Sequence, residues 1–317
     1  MKILIIKPSS LGDVIHGLQV ATEIFEQTHA DIDWVIKSSL REIVEISNII
    51  RRIFIFERHG GWSRFRQLIR AIRQEHYDYV LDMQGLARSG LLTFSARCPR
   101  SNKIGRRDAR ECSWLSYGRY APFPSQTPPH AIDILRGFSQ IFSPKLPQDL
   151  PHFALTPRVT PVIADILSGL SRPIISLFPE SQRPEKEWPY FEPLAQQILE
   201  ICPFATVILA GQRPEPVTCS ASSRLIDIRG RTTLSDVVHV VQRSSLVVAN
   251  DSAPMHIAAA AHVPVIALFG PTSPLKYGPY PLNDPRNTVL TSPTGSLADL
   301  PVNTVLEAVL KHYPTNS

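Results

Sequence analysis

Short apolar runs alternate with longer amphipathic segments along the first 83 residues of the chain. The runs have the length of strands, and helix-length segments separate them. This alternation is typical of a parallel sheet with helices on both faces. The pattern predicts strands at Ile3–Ile6, Asp33–Ile36, Arg52–Phe56 and Tyr79–Met83.

The segment between the third and fourth of these strands has a helical pattern. Its apolar residues recur at spacings of three and four, and its arginines fall mostly between them. The sequence therefore predicts an amphipathic basic helix over Trp62–Tyr77. The apolar residues are Trp62, Phe65, Leu68, Ile69 and Ile72, and the arginines are Arg64, Arg66, Arg70 and Arg73.

Residues 121–161 are rich in proline, and one helical segment, His130–Phe142, interrupts them. Proline without helical or strand periodicity is typical of connectors, so we predict a domain boundary near residues 145–160. The two domains are expected to span residues 1–155 and 156–317. An alternative for the last helix is that it packs back on the first domain.

The alternation of strands and helices resumes beyond the connector. We therefore expect an α/β fold with two Rossmann-like, doubly wound parallel-sheet domains facing across a cleft. Ligands are expected at the carboxyl ends of the strands. The later strands are predicted at Ile174–Phe178, Thr206–Ala210, Leu246–Ala249 and Val263–Leu268, and the helices at Tyr190–Ile201, Leu234–Arg243 and Ala253–Ala261.

Composition narrows the class of protein. The 317 residues are 43% hydrophobic and 19% charged, which is ordinary for a globular domain and argues against a disordered or fibrous chain. Residues 1–150 hold 21 Lys and Arg against 15 Asp and Glu, whereas the remainder holds 12 against 13. This excess indicates an acidic partner for the N-terminal half, with an ordinary solvated basic surface as the equal alternative.

The sequence gives no sign of secretion or of a membrane span. The first apolar run ends at Lys7, short of the ~7 to 15 residues of a signal-peptide core. The stretch Met255–Phe269 falls short of the ~18 to 20 residues of a spanning helix. The cysteines form no CxxC pair, so neither a zinc site nor a disulfide framework is indicated, and we expect a reduced, cytosolic protein. They are Cys98, Cys112, Cys202 and Cys219.

Two polar clusters follow predicted strands in the N-terminal half. The turn Lys7–Asp13 contains a glycine, Gly12, and enters a helix. The free N–H groups and positive dipole end of such a helix attract anions, although Asp13 alone is explained more simply as a helix N-cap. The second cluster, Asp82–Ser89, ends the fourth strand.

Two further clusters follow strands in the C-terminal half. In Phe178–Pro189, Lys186 is placed to neutralise a phosphate, and a merely solvated lysine is the simpler alternative. In Val248–His256, Asp251 and Ser252 open a helix, where capping is the simpler explanation. At the carboxyl ends of the predicted strands, the sequence has no Asp-x-Asp metal motif, no His and carboxylate cluster at ligand spacing and no serine nucleophile elbow. A nucleotide bound here is therefore expected to need no metal.

Five motifs of the chain resemble those of the heptosyltransferases, glycosyltransferase family nine, and this resemblance implies a two-domain fold of the GT-B kind. They occur in the family's order over nearly the whole chain. They are KPSSLGDVIHGL at Lys7–Leu18, DMQGLARSG at Asp82–Gly90, HAIDILRGF at His130–Phe138, KEWP at Lys186–Pro189, and NDSAPMHIAAA with VPVIALFGPTSP at Asn250–Pro274.

The resemblance implies an inverting, metal-independent transfer of heptose from ADP-heptose to an acidic, lipid-linked acceptor of the Kdo-lipid A type at the membrane surface. It implies that Asp13 is the general base and that Lys186 meets the donor phosphates. The N-terminal domain would hold the acceptor and the C-terminal domain the donor. No nucleic acid and no cofactor beyond the donor are implied.

The resemblance also gives each candidate residue a role. The donor-binding residues are expected to be Ser9, Ser10, Gly12, Ser181, Gln182, Lys186, Asp251, Ser252, Ala253 and His256. The acceptor-binding residues are expected to be Lys7, Gln84, Arg88, Arg106 and Arg107, within or beside the basic loop 97–110.

Two residues depart from the family pattern. Ala253 replaces a glycine, which is harmful only if the backbone there needs a positive φ or a close approach to the diphosphate. Glu187 places a negative charge beside the expected phosphate site. Two alternatives therefore stay open: a glycosyltransferase for another nucleotide sugar, or a catalytically silent protein that binds one.

Overall fold

The computed structural model of the chain describes residues 1–147, 150, 155–170, 172–214 and 222–313. Two compact units are present, Met1–Thr156 and Pro157–Ser317, here called unit 1 and unit 2. Each has its own sheet and its own apolar core. Cys219 and residues 151–154 of the predicted connector lie outside the described residues. Cys98, Cys112 and Cys202 are free thiols.

Six parallel strands form the sheet among the described residues of unit 1, in the order β3-β2-β1-β4-β5-β6. The chain moves outward from β1 in both directions, so the sheet has a switch point between β1 and β4, where Ile6 pairs with Asp82. Ligands of doubly wound sheets bind at such points. The strands are β1 Lys2–Ile6, β2 Asp31–Lys37, β3 Ile50–Phe56, β4 Tyr79–Asp82, β5 Lys103–Gly105 and β6 Arg119–Tyr120.

The helices of unit 1 cover both faces of this sheet. The helix α3 illustrates why they form, because Phe65, Leu68 and Ile72 face the core while its arginines remain exposed. The helices are α1 Leu11–Thr28, α2 Arg41–Glu45, α3 Gly61–Ile72, α4 Ala87–Ser95 and α5 Ala131–Ser139, with short 3-10 turns at Ser38–Leu40, Arg100–Asn102 and Ser113–Ser116.

Unit 2 repeats this plan with the strand order β12-β11-β10-β7-β8-β9. Its switch point lies between β7 and β10, where Phe178 pairs with Ala249. The strands are β7 Ile174–Phe178, β8 Thr206–Leu209, β9 Leu225–Asp227, β10 Leu246–Asn250, β11 Val265–Phe269 and β12 Asn287–Thr291.

The helices of unit 2 pack on that sheet. The last helix, α11, contacts α7 and β11, and its residues Val305 and Val309 lie in the core of unit 2. The helices are α6 Pro161–Ser168, α7 Phe191–Ile201, α8 Leu234–Arg243, α9 Ala253–Ala260, α10 Pro274–Tyr277 and α11 Val302–His312, with 3-10 turns at Pro184–Lys186 and Leu297–Asp299.

Three details of the predicted elements were wrong. The basic helix ends at Ile72 rather than Tyr77, because Tyr77 turns into the core and donates a hydrogen bond to buried Asp33 at 2.8 Å. The end of the proline-rich stretch is not all connector, because Pro161 begins α6. The basic loop 97–110 contains the strand β5. Among helices of the described residues, none is long and apolar enough to cross a bilayer.

Candidate active site

The chain leaves β1 and enters α1 through a short turn that fixes the carboxylate of Asp13. Ser10 is the N-cap residue, and Asp13 is the third residue of the helix. The backbone N–H and the hydroxyl of Ser10 both donate to Oδ2 of Asp13, at 3.2 and 2.8 Å. Asp13 is therefore not the N-cap residue, and its side chain is held from one side by Ser10, which is.

Lys7 approaches the same carboxylate from the end of β1. Its Nζ lies 3.7 Å from Oδ1 of Asp13, and its side chain is only 2% exposed. Gly17 makes room for the Trp34 ring beside this lysine, because a Cβ there would lie 3.1 Å from that ring. The indole of Trp34 in turn donates to the carbonyl of Lys7 at 3.2 Å.

The electrostatics of this corner favour an ionised Asp13. Desolvation acts to raise the pKa of Asp13, but the charge of Lys7 and the hydrogen bonds from Ser10 outweigh it, so this pKa lies below its ordinary value. Burial lowers the pKa of Lys7, an effect that Asp13 opposes. The Asp13 side chain is still 41% exposed, so a proton donor can reach it.

Asp82 organises the neighbouring loop after β4. This fully buried carboxylate accepts hydrogen bonds from the N–H groups of Gln84 and Gly85, at 3.0 and 2.9 Å, and from the hydroxyl of Tyr117 at 2.8 Å. Burial nevertheless raises the pKa of Asp82. Gly85 has a φ of +73° and lies close to Ala109, which explains why a glycine is needed in this turn.

Arg106 is the second cation near Asp13. Burial opposes its charge, but a bidentate pair with Asp108 (2.8 and 2.6 Å) and the charges of Asp13 and Asp82 raise the pKa of Arg106. The structure thus brings Lys7, Asp13 and Arg106 together at the switch point of unit 1.

The remaining candidates for acceptor binding are less tightly placed. Arg88 is exposed and donates to the carbonyl of Arg58 at 2.7 Å. Arg107 is exposed. Within the described part of the chain, Oε1 of Gln84 is buried and accepts no hydrogen bond. Ser9 is half-buried and joined to Ser10 by a cis peptide bond, and Gly12 lies in the first turn of α1.

In unit 2, the clusters after β7 and β10 meet through an ion pair. Nζ of Lys186 lies 2.6 Å from Oδ2 of Asp251, and the hydroxyl of Thr272 donates to the same oxygen at 2.6 Å. Lys186 and Asp251 are largely buried, with side chains 15% and 7% exposed. The cation predicted to meet a phosphate is therefore already held at the switch point.

The N-terminus of α9 lies beside this pair. Ser252 is its N-cap residue but makes no capping hydrogen bond, and its buried hydroxyl has no partner among the described residues. Ala253 is the first helical residue and does not have a positive φ, so the alanine causes no backbone strain. His256 is buried one turn later in the helix.

Glu187 carries a charge that the structure compensates. Its carboxylate pairs with the guanidinium of Arg213 and accepts the N–H of Ser181 at 2.9 Å. Arg213 also reaches Glu180, whose carboxylate accepts the N–H groups of Gln212 and Arg213 at 2.8 and 2.7 Å. The glutamate therefore shapes the loop that carries Ser181 and the exposed Gln182, rather than presenting a bare charge.

Sequence reasoning missed several partners of the site. Tyr117, Thr272 and Arg213 were not among the candidates, although Thr272 falls in a motif that carried the family resemblance. Trp188 is buried against Phe191 (ring centroids 5.2 Å apart), and its indole donates to the carbonyl of Leu300 at 2.9 Å. It is a core residue.

Two Rossmann-like sheets, each with charged side chains at its switch point, are the arrangement of GT-B-like proteins. The family "Glycosyltransferase family 9 (heptosyltransferase)" matches residues 65–307, and the chain belongs to that family. The predictions of the family, the fold class and a glycosyltransferase enzyme are confirmed.

Individual proteins support this assignment. Lipopolysaccharide heptosyltransferase 1 of Pseudomonas aeruginosa is 29% identical over 302 residues, which cover 88% of this chain and 81% of that protein. The lipopolysaccharide core heptosyltransferase OpsX of Haemophilus influenzae is 25% identical over 291 residues, 87% and 81% of the two chains. The solved E. coli heptosyltransferase WaaC with ADP has a TM-score of 0.80 at 22% identity, covering 99% of this chain and 100% of that one.

Proposed function

We propose that this chain transfers heptose from ADP-heptose to an acidic, lipid-linked inner-core acceptor of lipopolysaccharide, with inversion and without a metal. The names of the relatives support the sugar and the pathway. A solved WaaC complex contains ADP-2-deoxy-2-fluoro heptose, which supports the donor. In this proposal the protein works in the cytoplasm, where unit 1 takes the acceptor from the membrane surface.

The observation that carries the proposal is the set of groups at the switch point of unit 2. A largely buried lysine, a serine hydroxyl that makes no hydrogen bond within the described part of the chain, and the N-terminus of α9 lie together there. Buried cations and helix N–H groups are what a diphosphate requires. We propose that ADP-heptose binds here through Lys186, Ser252 and the N–H groups of α9, with Ser181, Gln182 and His256 beside it.

In unit 1 we propose that Asp13 is the general base. Its carboxylate is ionised, oriented by Ser10 and still accessible, as a base needs to be. It accepts the proton of the acceptor hydroxyl while that oxygen attacks the anomeric carbon from the face opposite ADP. Lys186 and the N–H groups of α9 stabilise the charge that develops on the departing diphosphate.

The two departures from the family pattern do not weaken the proposal. Ala253 is helical, and the charge of Glu187 is compensated by Arg213. These residues were the grounds for considering a catalytically silent protein. The remaining alternative is that the donor carries a different sugar. Thermal unfolding with different nucleotide sugars distinguishes the two.

The donor is tested by thermal unfolding with a panel of nucleotide sugars. ADP-heptose is expected to raise the melting temperature more than ADP alone, because only ligands that bind the folded state stabilise it. UDP- and GDP-sugars are expected to have little effect. A larger shift with a UDP- or GDP-sugar would replace heptose in the proposal while leaving the enzyme class intact.

Lys7→Met is expected to shift the pH dependence of activity. The lysine holds the pKa of Asp13 below its ordinary value, so its removal raises that pKa and the base becomes protonated at a higher pH. The pH dependence of kcat/KM reports the ionisation of the free enzyme, so its acidic limb should move to higher pH. Lys103→Met is the control, since Lys103 is a lysine of the same unit that donates to the carbonyl of Phe94. An unmoved acidic limb in Lys7→Met would exclude Lys7 as the residue that sets the pKa of the base.

A further inference from the structure

Unit 1 exposes large apolar side chains on three neighbouring elements. Trp62 on α3 is 67% exposed, Phe94 on α4 is 62% exposed, and Leu115 on the 3-10 turn Ser113–Ser116 is 59% exposed. Leu91 and Trp114 on the same elements are also exposed. Single exposed apolar residues are common, but a contiguous group marks an interaction surface.

The contacts of α4 place Leu91 and Phe94 between its two neighbouring elements. On one side, Arg88 donates to the carbonyl of Arg58, just before α3. On the other side, a Cβ on Gly90 would lie 2.8 Å from Cβ of Ser113. Successive residues of a helix are turned by about 100°. Viewed down the axis, the side chains of Arg88 and Gly90 therefore bound a sector of about 160°, and Leu91 lies inside that sector.

Phe94 lies inside the same sector of the helix. The helix α4 therefore presents Leu91 and Phe94 between α3 and the turn Ser113–Ser116. At the far end, Arg73, the residue after α3, donates to the carbonyl of Ser95 at 3.0 Å. Hydrogen bonds at both ends of α4 thus tie it to the ends of α3, and Gly90 packs it against the turn Ser113–Ser116.

Arginines dominate the charge of this surface, although the carboxylate of Glu111 accepts the N–H of Ala87 at the start of α4. The helix α3, the helix α4 and the turn Ser113–Ser116 contain no Asp or Glu. Trp62, Arg66 and Arg70 follow each other at spacings of four on α3, and all are exposed. The two arginines line a surface depression together with Ser63 and Gln67. Exposed guanidinium groups beside aromatic rings suit the headgroup region of an anionic bilayer.

We propose that this arginine–apolar face, defined by Trp62, Arg66, Arg70, Leu91, Phe94 and Leu115, docks on the surface of a bilayer containing anionic phospholipids. A second copy of the chain fits less well, because two faces of the same positive charge repel each other. The inference rests on the proposed function in one respect: a lipid-linked acceptor is held in a bilayer.

The test is co-sedimentation of the full chain with vesicles. The protein is expected to bind mixed phosphatidylcholine and phosphatidylglycerol vesicles, and this binding should fall with added salt. Binding to vesicles of phosphatidylcholine alone should be weak. The double variant Arg66→Gln, Arg70→Gln should lower the partition coefficient about 25-fold, at about fivefold per arginine. Trp62→Ser with Phe94→Ser should also lower it, because the apolar contribution is lost.

Matched controls lie in unit 2. Arg172 and Arg231 are exposed there, so their double change to Gln alters the net charge equally. Phe204 is 64% exposed, and Phe204→Ser matches the loss of an exposed ring. These controls should bind vesicles as the wild type does. Each variant is compared with the wild type by its melting temperature, so that only folded proteins are scored.

Three outcomes would overturn the inference. The first is that the variants of the face bind vesicles as tightly as the wild type. The second is that the controls lose binding to the same extent. The third is that the wild type binds no vesicles and instead forms a dimer that the face variants abolish. Failure of the proposed function is read separately, from turnover of ADP-heptose with a water-soluble, deacylated acceptor, which the face variants should retain. A chain that binds vesicles without heptose transfer would refute the proposed function only.

Discussion

Asp13→Asn is expected to cut turnover by on the order of a hundred- to ten-thousand-fold, the range for loss of a general base. Asparagine has nearly the same shape and still offers an oxygen to the Ser10 N–H, so the start of α1 should survive. It cannot accept the proton of the acceptor hydroxyl. ADP affinity, measured by calorimetry, should be nearly unchanged, because the proposed phosphate contacts belong to unit 2.

The control for this variant is Asp108→Asn. Asp108 is another carboxylate of unit 1, and it contacts Arg106 rather than Ser10. Its replacement should reduce turnover far less than that of Asp13. Asp13→Asn also leaves Lys7 without its counter-charge, so a lower melting temperature is expected and is measured alongside. Turnover by folded Asp13→Asn within a few-fold of wild type would remove Asp13 as the base.

Lys186→Ala is expected to weaken ADP binding and to reduce kcat/KM by on the order of a hundred- to a thousand-fold, as when a group that stabilises developing charge is removed. The loss should be large because two effects add. The diphosphate loses its cation, and the carboxylate of Asp251, now unpaired, repels it. Lys186→Arg keeps the charge and should recover part of the affinity.

Arg183→Ala is the matched control for Lys186. Arg183 lies in the same loop, but its guanidinium pairs with Glu185 and is 58% exposed. Its removal should change ADP affinity only slightly, since exposed ion pairs contribute little. Calorimetry that shows equal ADP affinity in Lys186→Ala and the wild type would exclude Lys186 from the donor site.

The parts of the fold that could be predicted from sequence are its long and fully buried elements. The strand Ile174–Phe178 and the helix Leu234–Arg243 agree with the prediction at both ends, because each has a clear period and a clear boundary. The strand Arg119–Tyr120 is two exposed residues at the edge of a sheet, too short for any period. The helix α6 was hidden by its own Pro161, a residue that helices tolerate in their first turn.

The location of the candidate site could be predicted, but its internal partners could not. The doubly wound order brings loops after β1 and β4, and after β7 and β10, to switch points, so polar clusters there were visible as motifs. Lys186 and Asp251 are 65 residues apart, and Asp82 and Tyr117 are 35 apart. Which side chain pairs with which depends on the register of the sheets, and a single sequence does not encode that locally.

The central claim is that ADP-heptose is the donor and that Asp13 in unit 1 accepts the proton of the acceptor. Mass spectrometry of a deacylated Kdo-containing core acceptor after incubation with ADP-heptose tests it most directly. We expect the addition of one heptose by the wild type and its near loss in Asp13→Asn. An acceptor left unmodified by ADP-heptose but extended from another nucleotide sugar, or one extended equally by both proteins, would contradict it.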